Sequence, residues 1–385
     1  MKIKKYLFTF YAFILLVLLF IPIYTPLHVS DAFILSNLAD ADLTVFKTPS
    51  ELPNSAKSAI LIDADSGRII YSKNENQRLP MASTTKIMTA LLALELADPK
   101  TVITIPKEAV NIEGSSIYLR EGEVFTCDEL LYGLMLESGN DAAVALAIAL
   151  GGSVERFADL MNTKAHELGL ENTHFVNPHG LPAENHYTTA LELAKITQIA
   201  MKNQTFKTIV STQKTTVCGR LFVNHNKLLF DFDGICGVKT GFTKSAGRCL
   251  VTAAQRNGVS LIAVTLNGPS CSQDHKNLLN FGFSYLSSVC LSQKGSIDYQ
   301  IAVTGGNKLF CHVTNSKSID ISVPQGTTTT TVVSRSKIIY APIKKGDILG
   351  EIKYYSKNKL VASTPLAATE DITIKKINLF NKLFD

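Results

Sequence analysis

Three short segments, Ser83-Thr-Thr-Lys86, Ser138-Gly-Asn140 and Lys239-Thr-Gly241, stand in that order along one 385-residue chain. Each alone has an ordinary explanation. Ser83 suits a helix N-cap with Lys86 as a solvated lysine, Ser138-Gly-Asn140 suits a turn that breaks a helix, and Lys239-Thr-Gly241 suits the exit of a hairpin. Together they restrict the fold severely. A chain that uses all three must bring a helix start, a break between helices and a strand border to one cleft.

The residue types point to serine acylation. A serine hydroxyl is a poor nucleophile until a base takes its proton. Lys86, three residues on in the same helix, shares a face with Ser83 and can bring its amine within hydrogen-bond reach. To act as that base it needs a depressed pKa, which burial and a second cation at Lys239 would both supply. Ser138 can pass a proton from Lys86 to a leaving amine, while the Asn140 amide can hold both Lys86 and a substrate carbonyl. Lys239 and Thr240 can attract a substrate carboxylate, and Gly241 lets a peptide backbone lie close along the strand edge. The backbone N–H groups of Ser83 and Phe242 would then form an oxyanion hole.

The rest of the chain supplies elements to carry these residues. Ala59 to Asp63 and Ile69 to Ser72 flank Asp/Ser/Gly turn chemistry and read as a hairpin. Ser83 to Glu95 lacks Gly and Pro and reads as a helix. Two helical stretches between Cys127 and Leu150 meet at Ser138-Gly139-Asn140, another runs from Val154 to Leu168, and Thr189-Ala-Leu-Glu192 has capping-box spacing. Gly237 to Thr240, Arg248 to Ala254 and Ser260 to Leu266 read as antiparallel strands, with Arg256-Asn257-Gly258 as a hairpin turn. Lys276 to Leu286 reads as a helix packed back on that sheet. Beyond about Gln293 short β-branched runs separated by Gly, Pro and Asn turns indicate a small all-β domain. The fold class is therefore α/β, an antiparallel sheet flanked by helices plus an all-helical lobe, followed by that β domain.

Lys2, Lys4 and Lys5 precede an apolar run from Tyr6 to Ile23 and the small-residue site Ser30-Asp31-Ala32, which reads as a signal peptide; an uncleaved anchor is the alternative. The expected organisation is a signal peptide at 1–32, a catalytic domain at 33–292, a β domain at 293–373 and a short amphipathic tail at 374–385. In that tail Ile374, Ile377, Phe380 and Phe384 alternate with lysines. It suits either peripheral membrane contact or docking on the β domain. The net charge of +5 is spread along the chain, which gives no reason to expect a nucleic-acid partner. Seven cysteines without C-x-x-C spacing argue against a disulfide scaffold or a metal site. Most of them are expected as buried hydrophobes, with one disulfide pair as the alternative.

At this level of detail the sequence resembles the serine-type D-alanyl-D-alanine carboxypeptidases among the low-molecular-mass penicillin-binding proteins. The resemblance extends through Ala59 to Gly67, Pro80 to Thr89, Leu136 to Ala143, Asn177-Pro-His-Gly-Leu181 and Gly237 to Thr243. It implies a penicillin-binding-protein/β-lactamase-like fold, with catalytic residues Ser83, Lys86, Ser138 and Asn140 and substrate-binding residues Lys239, Thr240, Gly241 and Phe242. It implies removal of the terminal D-alanine from peptidoglycan stem pentapeptides without cofactor or metal, acylation of Ser83 by β-lactams, and a location at the outer face of the cytoplasmic membrane. Two positions depart from the family pattern. Cys236 stands where an aspartate is usual, and Cys271 where an arginine that helps hold the substrate carboxylate is common; Arg248 is the residue that could compensate.

Two other readings remain. A serine β-lactamase needs a deacylating glutamate, and the nearest approach to its motif, Glu167-Leu-Gly-Leu-Glu171, ends in Glu where Asn belongs. A non-catalytic β-lactam-sensing or peptidoglycan-binding module would keep the pocket but not turnover.

Overall fold

The computed structural model describes residues 33–35, 52–335, 338–356 and 358–376, the side chains of 33–35 and 335 excepted. The proposed signal peptide lies outside these residues, as does the tail beyond Lys376. The described residues fall into two compact units, one of 52–291 with 320–328, the other of 33–35, 292–319 and 329–376.

The larger unit is built on a five-stranded antiparallel sheet. Its strands are β1 (Ser58–Asp63), β2 (Ile69–Lys73), β3 (Ile235–Thr243), β4 (Gly247–Arg256) and β5 (Val259–Leu266). Their spatial order is β2-β1-β5-β4-β3, so β3, which carries Lys239-Thr-Gly241, is an edge strand. Both faces are covered, and the run from Ala59 to Ile62 is correspondingly apolar and buried throughout. Asn257, with φ of 48°, and Gly258, with φ of 77°, form the β4–β5 turn that the Asn-Gly pair announced.

Helices α1 (Lys86–Leu96), α2 (Cys127–Leu136), α3 (Asn140–Gly151), α4 (Val154–Glu167), α5 (Ala190–Ala200) and α6 (Gln204–Ser211) follow the hairpin. Their apolar sides share one core that includes Ile87, Leu91, Leu134, Leu146, Phe157 and Ile196 together with Ile62, Val251 and Val264 of the sheet. Thr126 starts α2 with a complete capping box to Glu129, an arrangement worth about 1 kcal/mol. At α5 the box is only half made. Thr189 Oγ1 accepts from Glu192 N, while the Glu192 carboxylate turns away to accept from Asn172 N and Thr173 Oγ1.

Helix α7 (Cys271–Tyr285) packs on the other face of the sheet and begins five residues before the sequence suggested. His275 fixes it there, its Nδ1 2.9 Å from Thr252 Oγ1 on β4 and its Nε2 3.0 Å from Thr265 Oγ1 on β5. A two-stranded pairing of Leu286–Ser292 with Ile319–Pro324 follows.

The smaller unit is a seven-stranded sheet formed by Phe33–Leu35 and six strands between Tyr299 and Ala368. Val303, Cys311, Ile343, Ala368 and Ile372 form its buried cluster. None of the seven cysteines is in a disulfide. Cys127, Cys249 and Cys311 are buried as hydrophobes, Cys236 and Cys271 are half-buried, and Cys218 and Cys290 lie at the surface.

Candidate active site

Ser83 occupies a single 3-10 turn, Ala82–Thr85, that runs directly into α1. The turn is tied down from behind by a buried network. His186 Nδ1 accepts from Val176 N at 3.0 Å, which leaves Nε2 protonated and facing Thr85 Oγ1 at 2.8 Å, and Thr85 Oγ1 donates to Ala82 O at 2.8 Å. Burial pushes the His186 pKa down to about 4, so the ring stays neutral and the network keeps this polarity.

Lys86, the first residue of α1, is fully buried. Its Nζ lies 3.0 Å from Ser83 Oγ, 2.6 Å from Asn140 Oδ1 and 2.7 Å from His179 O. Three acceptors match the three N–H bonds of an ammonium. When one proton leaves, the two carbonyl oxygens still take the two remaining N–H bonds, and the freed lone pair faces the serine hydroxyl. That is the arrangement a general base requires. Burial lowers the Lys86 pKa well below its usual value, nearby Lys239 lowers it further, and Asp141 opposes both.

The break between α2 and α3 sets Asn140. Ser138 adopts φ of 63°, and Asp141 is buried, with its carboxylate accepting from Ile117 N, Leu119 N and Ser116 Oγ. The Asn140 amide donates one hydrogen to Glu113 O at 2.6 Å, which fixes its oxygen toward Lys86. Ser138, 4 % exposed, lines the cleft beside Ser83.

On β3, Lys239 is buried and donates to Thr240 O at 3.1 Å; burial pushes its pKa down to about 7, against the pull of Glu137. A Cβ at Gly241 would stand 3.0 Å from Ser83 N and 3.2 Å from Ala82 Cβ, so a side chain there would press the strand edge away from the serine turn. Thr240, Gly241 and Phe242 line the same cleft of about 460 Å³ as Ser83 and Ser138. All eight residues singled out in the sequence thus gather at or beside one cleft.

Other contributors had no role assigned from the sequence. The loop Asn177 to Leu181 gives Lys86 a backbone carbonyl, and Gly180, with φ of 88°, passes so near Ala82 O that a Cβ would lie 2.0 Å from it. Ser115, His225, Asn226, Lys227 and Ser272 complete the cleft wall. Neither Glu167 nor Glu171 lines it; Glu167 instead lies 3.6 Å from Lys164. Cys236 lines a separate cavity with Lys202 and Lys207, whereas Cys271 and Arg248 both face the catalytic cleft. Among the described residues no cluster of side chains is suited to a metal ion.

Residues 45–270 match the family model described as D-alanyl-D-alanine carboxypeptidase. The chain belongs to this family. Residues 287–373 match the C-terminal domain model of penicillin-binding protein 5. The chain is 36 % identical to the D-alanyl-D-alanine carboxypeptidase DacF of Bacillus subtilis, over 85 % of this chain and 88 % of that one. It is 31 % identical to DacA of Escherichia coli, over 86 % of both. The crystal structure of penicillin-binding protein 5 from Haemophilus influenzae superposes with a TM-score of 0.67 at 29 % identity, covering 83 % of this chain and 98 % of that one. The chain is thus a serine-type D-alanyl-D-alanine carboxypeptidase of the peptidoglycan-processing class, with a penicillin-binding-protein fold and an all-β C-terminal domain. Carboxypeptidases of this family act on peptidoglycan outside the cytoplasmic membrane and bind β-lactams.

Proposed function

We propose that Ser83 is the nucleophile of this carboxypeptidase and Lys86 its general base. The three-acceptor environment of the Lys86 amine carries the assignment. Ser83 Oγ attacks the carbonyl of the penultimate D-alanine in a stem pentapeptide while Lys86 takes the hydroxyl proton. The backbone N–H groups of Ser83 and Phe242 hold the oxyanion, an interaction worth about 3–4 kcal/mol of barrier in comparable sites. As the C–N bond breaks, Ser138 relays the proton from Lys86 to the departing amine and D-alanine leaves. Water then hydrolyses the Ser83 ester, releasing the shortened peptide and restoring the hydroxyl.

Asn140 keeps Lys86 aimed at Ser83 and offers its second amide hydrogen to the acyl chain. Lys239 and Thr240 receive the carboxylate end of the substrate, and Gly241 and Phe242 let the peptide lie along the β3 edge. β-Lactams acylate the same hydroxyl. Residues 1–32 direct export. The tail starts on the β domain, where Ile374 pairs with Gly306 and Lys375 N donates to Gly305 O, and the residues that follow give peripheral contact with the outer face of the membrane. Among the described residues no helix is long and apolar enough to cross a bilayer.

Fluorescent-penicillin labelling of wild type and Ser83→Ala, beside a D-alanine release assay, tests the assignment. Both signals should vanish in the variant. Labelling that persists would place the nucleophile elsewhere, and labelling without D-alanine release in the wild type would favour a sensing module.

A further inference from the structure

Resting on the assignment of Ser83 and its cleft, we infer that a second cavity receives the side chain of the third stem-peptide residue, and that Glu184 pairs there with the terminal ammonium of a diamino acid.

The direction of the substrate places this residue. With the carboxylate end at Lys239 and Thr240 and the scissile carbonyl between Ser83 and Phe242, the acyl part of the peptide runs antiparallel to β3, past Phe242 toward Thr243. The third residue of the stem lies one position beyond the penultimate D-alanine. A cavity of about 330 Å³ opens at this end of the strand, bordered by Thr243 and Ser245 on one side and by Met81 and Ala82 on another. It continues the catalytic cleft at consecutive residues, Ala82 following on from Ser83 and Thr243 from Phe242.

The lining suits a lysine-type side chain, four methylenes ending in an ammonium. Leu181, Pro182 and Ala183 offer an apolar wall for the methylenes. Among the described residues that line the cavity, Glu184 carries the only carboxylate, and His186, with its pKa near 4, stays neutral. Glu184 is exposed and has no ion-pair partner among the described residues. Lys244 stands between Thr243 and Ser245 but does not line the cavity.

The backbone on both sides of Glu184 is held. Asn177 accepts from Gly180 N at 2.7 Å and donates to Leu181 O at 3.0 Å, His186 N donates to Ala183 O at 3.3 Å, and His174 Nδ1 lies 2.7 Å from Asn185 O. The carboxylate therefore starts from a fixed loop, and little order has to be imposed when the substrate arrives. Along the β3 edge a cation meets the carboxylate end of the peptide and an anion meets its third residue, an arrangement complementary to a diamino-acid stem and opposed to the reversed peptide.

The test compares Nα-acetyl-L-Lys-D-Ala-D-Ala, whose side-chain amine is free, with the Nα,Nε-diacetyl peptide, which keeps the scissile bond and the carboxylate and removes only that charge. An exposed pair sets the scale: wild type should favour the free amine by about 3- to 5-fold in kcat/KM, chiefly through KM. The preference should shrink as salt is raised. Glu184→Gln should bring the two peptides to equal kcat/KM, and Glu184→Lys should reverse their order, with fluorescent-penicillin labelling showing that each variant is folded. The same dependence on Glu184 is expected with a meso-diaminopimelyl peptide, and the better of the two wild-type substrates identifies which diamino acid the cavity serves. No preference in wild type, or an undiminished preference in Glu184→Gln, would overturn the inference. A wild type that releases D-alanine from none of the peptides and takes no penicillin label would instead refute the assignment of Ser83, a separate failure.

Discussion

The amine of Lys86 lies 3.0 Å from the hydroxyl oxygen of Ser83, and its other two contacts are both carbonyl oxygens. Neither carbonyl can accept the serine proton in its place, so the path from hydroxyl to amine has no local competitor. Replacing Lys86 with alanine removes this path and leaves two buried acceptors unpaired. Acylation by penicillin should slow by about 10²- to 10⁴-fold. Stability should drop by about 1–3 kcal/mol from the unsatisfied oxygens, read in a urea titration of the same preparation.

Opposite pH responses are expected from the two buried lysines. As the proposed base Lys86 works only as the neutral amine, so its lowered pKa lets the rate rise with pH and level off below the range of an ordinary lysine. Lys239 contributes only while charged, and its pKa of about 7 means that its attraction for a carboxylate fades above neutrality. The profile of kcat/KM should therefore combine a rising limb set by Lys86 with a descending limb that is centred near pH 7 and appears in KM. A descending limb confined to kcat would contradict this division of labour.

Gly180 offers a test away from the reacting groups. Its φ of 88° already disfavours a side chain, and a Cβ would meet Ala82 O at 2.0 Å. Gly180→Ala should cost roughly 1–3 kcal/mol in stability from backbone strain alone. It should also slow acylation, because the displaced neighbour is the residue preceding Ser83. Unchanged labelling kinetics in a destabilised variant would show that the loop supports only the fold.

The sequence made the elements around the site legible where local chemistry decides them. Asn257-Gly258 closes a hairpin where the sequence placed it, whereas Pro80 lies beyond a strand that already ends at Lys73. Glu129 completes its capping box, whereas Glu192, at the same spacing, is drawn away by Asn172 and Thr173, a tertiary competition that spacing alone cannot reveal. The three motifs disclosed their side chains but not their supports. His179 contributes a backbone oxygen, for which no residue type is diagnostic, and His225, Asn226 and Ser272 join the cleft only through long-range packing. Helix α7 starts at Cys271 because the Gly268-Pro-Ser270 segment ends the preceding strand, a signal outweighed in the sequence by the polar run that follows.

Protonation of buried histidine should govern acid stability. Burial pushes His275 down to about 3, against 6.5 for an exposed ring, while its two nitrogens face threonine hydroxyls on β4 and β5. Above pH 6.5 the ring is neutral in both folded and unfolded chains, and its folded contacts are fully retained. As pH falls below 6.5 the unfolded chain takes up a proton that the folded chain refuses until about pH 3. Stability then declines by up to ~1.4 kcal/mol per pH unit for this group. His186, at about 4, adds to the slope. Urea midpoints between pH 7 and 4 should fall less steeply in His275→Gln than in wild type, and parallel curves would exclude His275 as a contributor.

Changing a single charge next to Lys86 separates its role as a base from its role as a structural ammonium. In Asn140→Asp the oxygen 2.6 Å from Nζ becomes part of a carboxylate. An anion at that distance stabilises the charged lysine and raises its pKa, countering the burial and the Lys239 field that now lower it. The folded structure should survive, since an ion pair replaces a hydrogen bond of the same shape, although the donor to Glu113 O is lost. Acylation at pH 7 should fall by about 10²-fold or more and recover as pH is raised, because the missing ingredient is neutral amine. Asn140→Ala, which removes the aiming contact without adding charge, should instead lower the rate by a similar factor at every pH. If the aspartate variant were equally slow across the whole range, Lys86 would be orienting Ser83 and some other group would be taking its proton.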